Sequence, residues 1–212
     1  MLQYYRTIRK DGQHETEIKK SRFICSLKRV ENEEDALAFI AEVKKEHSKA
    51  NHNCSAYLIG EQDGIQRAHD DGEPSGTAGV PMLEVLKKKE LKNVAVVVTR
   101  YFGGIKLGTG GLIRAYGGAV SAGLEEVGLV EGRRQLEITA TVDYTFSGKL
   151  ENNLRGRSYT IKDIKYTDKV AFNCLIEEGR TDRFYDDVTE WTNGQAVFET
   201  NTWIYVETPF DK

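Results

Sequence analysis

The chain has 212 residues, 39% of them hydrophobic and 30% charged, with a formal net charge of −3. That is the make-up of a soluble globular protein with one large or two small domains, and not of a polycation that would coat nucleic acid. Apolar runs reach about five residues, far short of the roughly 20 needed to cross a bilayer.

The opening MLQYYRTIRKDG is charged early and has no apolar core, so no signal peptide and a cytoplasmic location are expected. Strands are predicted over 4–9 and 16–27. The spacing then predicts a helix over 33–47, capped by Asn32, with Ala36, Leu37, Ile40 and Val43 on one face. Residues 52–59 alternate as a strand, with His52, Cys54, Ala56 and Leu58 sharing a face, and 65–68 resumes it after a turn. The polar stretch 70–77 reads as a loop. A short helix follows over 79–88, with Pro81 tolerated near its start and Lys87, Lys88 and Lys89 at its favoured end.

Next comes the most distinctive segment. Residues 94–98, VAVVV, form the apolar run of a buried strand, and 99–118 read TRYFGGIKLGTGGLIRAYGG, with seven glycines. A strand, a glycine loop and a helix start make an anion-binding corner when cations attend it. Arg100, Lys106 and Arg114 are those cations, and Gly103, Gly104, Gly108 and Gly110 supply exposed backbone. Thr109 is placed to cap the helix. Two nucleotide motifs are excluded. Gly103-x4-Gly108 is followed by Thr109 where a P-loop needs Lys, and Ile113 stands where a dinucleotide fingerprint needs Gly. For 103–111, backbone binding and plain turn geometry both fit. Gly117 and Gly118 read as letting the helix lie close on a sheet. Arg100 beside Tyr101 and Phe102 is a pairing that clamps single-stranded bases, although a core Phe102 and a solvated Arg100 are the plainer reading.

Residues 132–134, Gly-Arg-Arg, read as a linker, with domains at 1–133 and 134–212. The first 134 residues carry 21 Lys and Arg against 19 Asp and Glu, and the rest carry 9 against 14. Any contact with nucleic acid therefore needs a local patch in the first part. The second part predicts a strand at 136–142, a helix at 146–155 and strands at 159–166 and 170–176. A helix at 183–191, stopped by Gly194, and a strand at 196–206 complete a ferredoxin-like βαββαβ order.

One other cluster could do acid–base chemistry: His69 with Asp70 and Asp71, near Glu73. Its plainer reading is two aspartates holding loop amides. Cys25, Cys54 and Cys174 are odd in number with no CxxC, so buried reduced thiols are expected, and no metal site or cofactor.

The segments DDGEPSGTAGVP (70–81) and VVVTRYFGGIKLGTGGLIRAYGG (96–118) resemble the signature of the IMPACT family, in its bacterial YigZ-type branch. The resemblance implies an α+β protein of two domains. The N-terminal one would be a two-layer α/β sandwich resembling domain IV of elongation factor G, and the C-terminal ferredoxin-like one would resemble domain V of that factor. Eukaryotic relatives look like regulators of translational control and bind the activator of an amino-acid-sensing kinase through an extra N-terminal domain. The resemblance does not include that domain, so this partner is not carried over. The resulting expectation is a monomeric, non-enzymatic binding protein of the translation apparatus that contacts RNA or the ribosome, with no membrane or DNA partner. The alternative is a hydrolase or transferase acting on a phosphorylated or peptide substrate at the corner of His69 and the glycine loop.

Overall fold

The computed structural model describes residues 2–210; Met1, Asp211 and Lys212, the outer ends of the two expected domains, lie outside the described residues. In chain order the elements are β1 (Tyr4–Ile8), β2 (Gly12–Ile18), β3 (Ser21–Arg29), α1 (Glu33–Glu46), β4 (His52–Ile59), β5 (Ile65–His69), α2 (Gly79–Lys88), β6 (Val94–Tyr101), α3 (Thr109–Val127), β7 (Leu129–Val142), α4 (Tyr144–Gly156), β8 (Thr160–Tyr166), β9 (Val170–Glu177), α5 (Thr181–Trp191) and β10 (Val197–Pro209). The protein is α+β, with two five-stranded sheets. The described residues divide into two compact units, 5–131 with 208–210, and 2–4 with 132–207.

In the first unit the sheet runs β2-β3-β6-β4-β5, and each neighbouring pair is antiparallel. Its centre is β6, and both faces of β6 are buried. Val94, Val96 and Val98 join Cys54, Ala56 and Leu58 of β4 beneath α2 and α3. Ala95 and Val97 join Tyr57 and Ile59 beneath α1. Burial on both sides is why β6 is continuously apolar instead of alternating. The expected packing of helices on the sheet is present, and α1 adds cover on the opposite face.

Three local expectations change. The stretch 16–27 is not one strand but the β2–β3 hairpin. Lys19 and Lys20 turn it with φ of 48° and 66°, a conformation that neither residue type announces in sequence. On α1, Asn32 caps as expected, its Oδ1 accepting the Asp35 amide at 2.9 Å, worth about 1 kcal/mol. Its buried face, however, is Ala36, Phe39, Ile40 and Val43, while Leu37 is exposed. On α3 the close-approach glycine is Gly123, where an added Cβ would stand 2.7 Å from Cys25 Sγ. Gly117 faces Val85 of α2, and Gly118 faces open space.

The second unit has the βαββαβ order. β7 pairs with β9, which pairs with β8, and β10 also pairs with β7. Alternate residues of β7 and β9 (Ile138, Ala140, Val142; Val170, Phe172, Cys174) form one core with Leu150 and Leu154 of α4 and Phe184 and Val188 of α5. One buried face per strand is the pattern of an antiparallel sheet covered on one side. Gly132, Arg133 and Arg134, read as a linker, lie inside the 14-residue strand β7. The chain passes between units as extended strand, and a glycine in a strand does not itself break it. No helix among the described residues is long and apolar enough to cross a membrane.

Candidate functional site

The glycine corner is built by two close approaches. At the end of β6, Phe102 N–H donates to Asn51 Oδ1 at 2.8 Å and Gly103 N–H to Ser21 Oγ at 3.1 Å. A Cβ on Gly103 would lie 1.9 Å from the Lys20 carbonyl oxygen, so only glycine lets the β2–β3 turn touch the loop here. Gly104 (φ 86°) and Gly108 (φ 71°) then turn the chain into α3. Gly108 occupies the cap position, with no side-chain cap bond, and Thr109 is the first helical residue rather than the cap. The first turn of α3 contains no acidic residue. Its leading amides lack helical partners and carry the positive end of the helix dipole.

Cations gather at this end. Lys106 and Arg114 are exposed, and Gly110 has the Arg114 Nη1 3.8 Å from where its Cβ would be. Arg114 therefore folds back along the first turn. Lys19 and Lys20, at the adjoining hairpin turn, are exposed as well. Leu107 and Gly111 bring Lys19 and Arg114 to one shallow depression. None of these four has a carboxylate partner among the described residues. The hairpin that supplies Lys19 and Lys20 was hidden in the sequence, and so was their part in the corner.

Arg100 is not part of that exposed charge. Its side chain is 6% exposed, and Nη1 donates to Glu73 Oε1 at 2.6 Å; the Glu73 side chain is 4% exposed. Tyr116 of α3 donates to the same oxygen at 2.8 Å. The guanidinium lies 5.4 Å from the ring centroids of both Phe23 and Phe102. Tyr101 departs from the corner altogether, its hydroxyl 3.0 Å from His47 Nδ1. Phe102, two residues on from the buried Arg100, is exposed rather than core.

Behind the corner, the 70–77 loop is fastened by its aspartates. Asp70 accepts from the amides of Gly76, Ala78 and Gly79 at 2.8–3.0 Å. Burial alone would raise the Asp70 carboxyl, but these amides together hold it below the usual carboxylate value. Asp71 accepts from the Asn53 amide at 2.7 Å and from Lys44 at 2.6 Å. There too, burial is outweighed and the pKa is lowered. His69 is exposed at the end of β5, and no hydrogen bond joins its ring to Asp70 or Asp71. The acid–base cluster is thus not assembled: both carboxylates are engaged in holding the loop. Burial pushes the Cys54 thiol up to about 12, and it donates to the Asp70 carbonyl, so it is no nucleophile. Among the described residues no group of three or more His, Cys, Asp and Glu could hold a metal.

What the fold brings together instead is a cavity of about 460 Å3 between the loop and α3. Asn51, His52, Glu73, Arg100, Phe102 and Lys106 line it, with Gly108 and Thr109 at the helix start. His52 shares its strand face with Cys54, Ala56 and Leu58, which are fully buried, but is itself only half-buried. Its half-buried ring looks into this cavity, with Nδ1 2.9 Å from the Asp71 carbonyl and Nε2 3.8 Å from Glu73 Oε2. Two cavities of 490 and 610 Å3 lie elsewhere, away from the glycine corner.

Comparison with known proteins identifies the same two units. Residues 19–124 match the Impact N-terminal domain, and residues 141–195 match a domain of unknown function, DUF1949. The chain is 54% identical to IMPACT family member YvyE of Bacillus subtilis, over 98% of this chain and 95% of that one. It is 45% identical to IMPACT family member YigZ of Escherichia coli, over 60% and 64%. A crystal structure titled as that of an hypothetical protein superposes with a TM-score of 0.58 at 30% identity, covering 95% of this chain and 99% of the other.

Proposed function

The chain belongs to the IMPACT family, and from that premise we propose that it is a cytoplasmic, non-enzymatic binding protein of the translation apparatus that contacts single-stranded RNA through the glycine corner. The observation that carries this reading is the set of four exposed cations, Lys19, Lys20, Lys106 and Arg114, without a carboxylate partner among the described residues, around the leading amides of α3. Phosphates are held by such amides and cations, and the bound strand releases its counterions in doing so. Exposed Phe102 gives a base a surface to stack on, and stacking is indifferent to sequence. The family link to translational control adds support, although likeness of family alone does not assign an activity.

Arg100 drops out of the phosphate-binding set, because its charge is already met by Glu73. The test is co-sedimentation with ribosomes at low salt, comparing wild type with a variant in which Lys19, Lys20, Lys106 and Arg114 are all changed to Ala. Binding by the wild type and loss in the variant is the expected result. No binding by the wild type, or equal binding by both, would overturn it.

A further inference from the structure

Arg100 leaves donors unused in the wall of the cavity behind the corner. An arginine carries five N–H groups in a fixed fork, and a buried one ordinarily uses them. Here Nη1 donates to Glu73 Oε1. Nε is shut off from solvent and has no acceptor, and Nη2 makes no hydrogen bond among the described residues. The side chain is 6% exposed and lines the cavity, so the cavity is the side from which an acceptor reaches it. Other donors stand around the same space. Asn51 accepts the Phe102 amide through Oδ1, which leaves its Nδ2 amino group as a donor. The leading amides of α3, at Gly108 and Thr109, have no helical acceptors, and Lys106 adds a charge. The acid in this wall, Glu73, gives Oε1 to Arg100 and Tyr116. His52, 3.8 Å from its other oxygen, faces that carboxylate whatever the protonation of the ring.

Charge and size narrow what the acceptor is. Arg100 and Glu73 cancel, which leaves Lys106 and the helix start, roughly one and a half positive charges. That suits a single negative charge, and a dianion would be pressed against Glu73. A carboxylate carries one charge on two coplanar oxygens, the shape that the guanidinium fork matches. The remaining wall is apolar: Pro74, Phe102, Leu107 and Leu112. At about 460 Å3 the space holds far more than a bare carboxylate and lies in the range of roughly 300–1,000 Å3 typical of small-ligand sites. We infer that the cavity binds a small monocarboxylic acid with a flat apolar body. Its carboxylate takes Lys106, the start of α3 and the unused N–H groups of Arg100, and its body lies against Phe102 and Leu112. This goes beyond the RNA reading: the ligand is a free small molecule, and Arg100, which has no part in meeting RNA phosphates, is one of its donors.

The probe is 3-phenylpropionate, compared with its neutral amide, with acetate, which lacks the body, and with phenyl phosphate above neutral pH, where it is a dianion. Affinities are measured by ligand-observed NMR at low salt. The acid is expected to bind saturably and about tenfold more tightly than the amide, the worth of one charge-assisted contact. Acetate and phenyl phosphate are expected to bind more weakly than the acid. Lys106→Ala and Arg100→Lys should each bring the acid down to the level of the amide; the lysine keeps a charge opposite Glu73 but lacks the fork. Asn51→Asp keeps the acceptor for the Phe102 amide, puts a like charge in the wall and should abolish binding, so the inner side is tested even where Arg100→Lys fails a folding check by circular dichroism. Lys45→Ala, an exposed position on α1 across the sheet, should change nothing. No saturable binding of the acid, equal binding of the amide, tighter binding of phenyl phosphate, or an affinity that survives Lys106→Ala and Asn51→Asp would overturn the inference. None of these results bears on RNA binding, which is read in a separate assay.

Discussion

Arg100 Nη1 lies 2.6 Å from Glu73 Oε1, and both side chains are more than nine-tenths buried. The pair joins the central strand β6 to the 70–77 loop, and Tyr116 adds α3 to the same oxygen. Three segments far apart in sequence are therefore tied at one carboxylate, directly behind the glycine corner.

Breaking that tie from one side leaves an uncompensated buried charge, which costs about 3–5 kcal/mol. Arg100→Met and Glu73→Leu are each expected to lower the unfolding free energy by about that amount in urea denaturation. The double variant is expected to lose about 2 kcal/mol less than the two single losses added together, because neither charge is then stranded. Strict additivity would show that the two groups do not act as a pair.

The glycines of the corner and of α3 are not equivalent, and alanine substitutions separate them. At Gly103 a Cβ would stand 1.9 Å from the Lys20 carbonyl oxygen, a backbone atom that cannot rotate away. Gly103→Ala is expected to cost about 3 kcal/mol, at the upper end of overpacking effects. At Gly118, inside α3, nothing lies within 4 Å. Gly118→Ala is expected to stabilise by about 0.5–1 kcal/mol through helix propensity. Thermal melts of the two variants should move in opposite directions.

The two loop aspartates set an acid limb. Both carboxyls are held below their ordinary value of 3.8 in the folded protein. A depressed folded pKa contributes stability that is present above the unfolded pKa and is lost as pH falls through the folded one. Unfolding free energy should therefore drop progressively below about pH 4. Asp70→Asn and Asp71→Asn should each start lower at neutral pH and fall less steeply on acidification. A slope unchanged from wild type in both variants would contradict the loop-fastening role of these carboxylates.

Much of this architecture can be read from short-range pattern. The Asn32 cap, the α2 span and the βαββαβ order all follow from spacing and punctuation, because each depends on residues within a turn or two of one another. The 70–81 and 96–118 segments also sufficed to mark the family. What sequence hides is set by contacts across the sheet. Arg100 reads as a surface cation until β4 and the loop bring Glu73 to it. His52 reads as a core strand residue because its alternation with Cys54 is correct, while the cavity at that end of β4 is made by α3 and the loop. The β2–β3 turn escapes because Lys19 and Lys20 take positive φ without Gly or Asn. Residues 132–134 lie within strand β7, and the division between the two units falls beside them, between 131 and 132. Glu73 had one available signal: it is the sole acidic side chain of its loop left over once Asp70 and Asp71 are assigned to backbone amides.

RNA binding of the proposed kind requires that the cations of the glycine corner meet RNA phosphates. The direct measurement is the dependence of single-stranded RNA affinity on salt, by fluorescence anisotropy, for wild type and for the variant with Lys19, Lys20, Lys106 and Arg114 changed to Ala. Four phosphate contacts predict a slope of log affinity on log salt near −3 for the wild type, and loss of binding or a nearly flat slope for the variant. A wild type that binds no RNA at low salt, or a variant that keeps the wild-type slope, would contradict it.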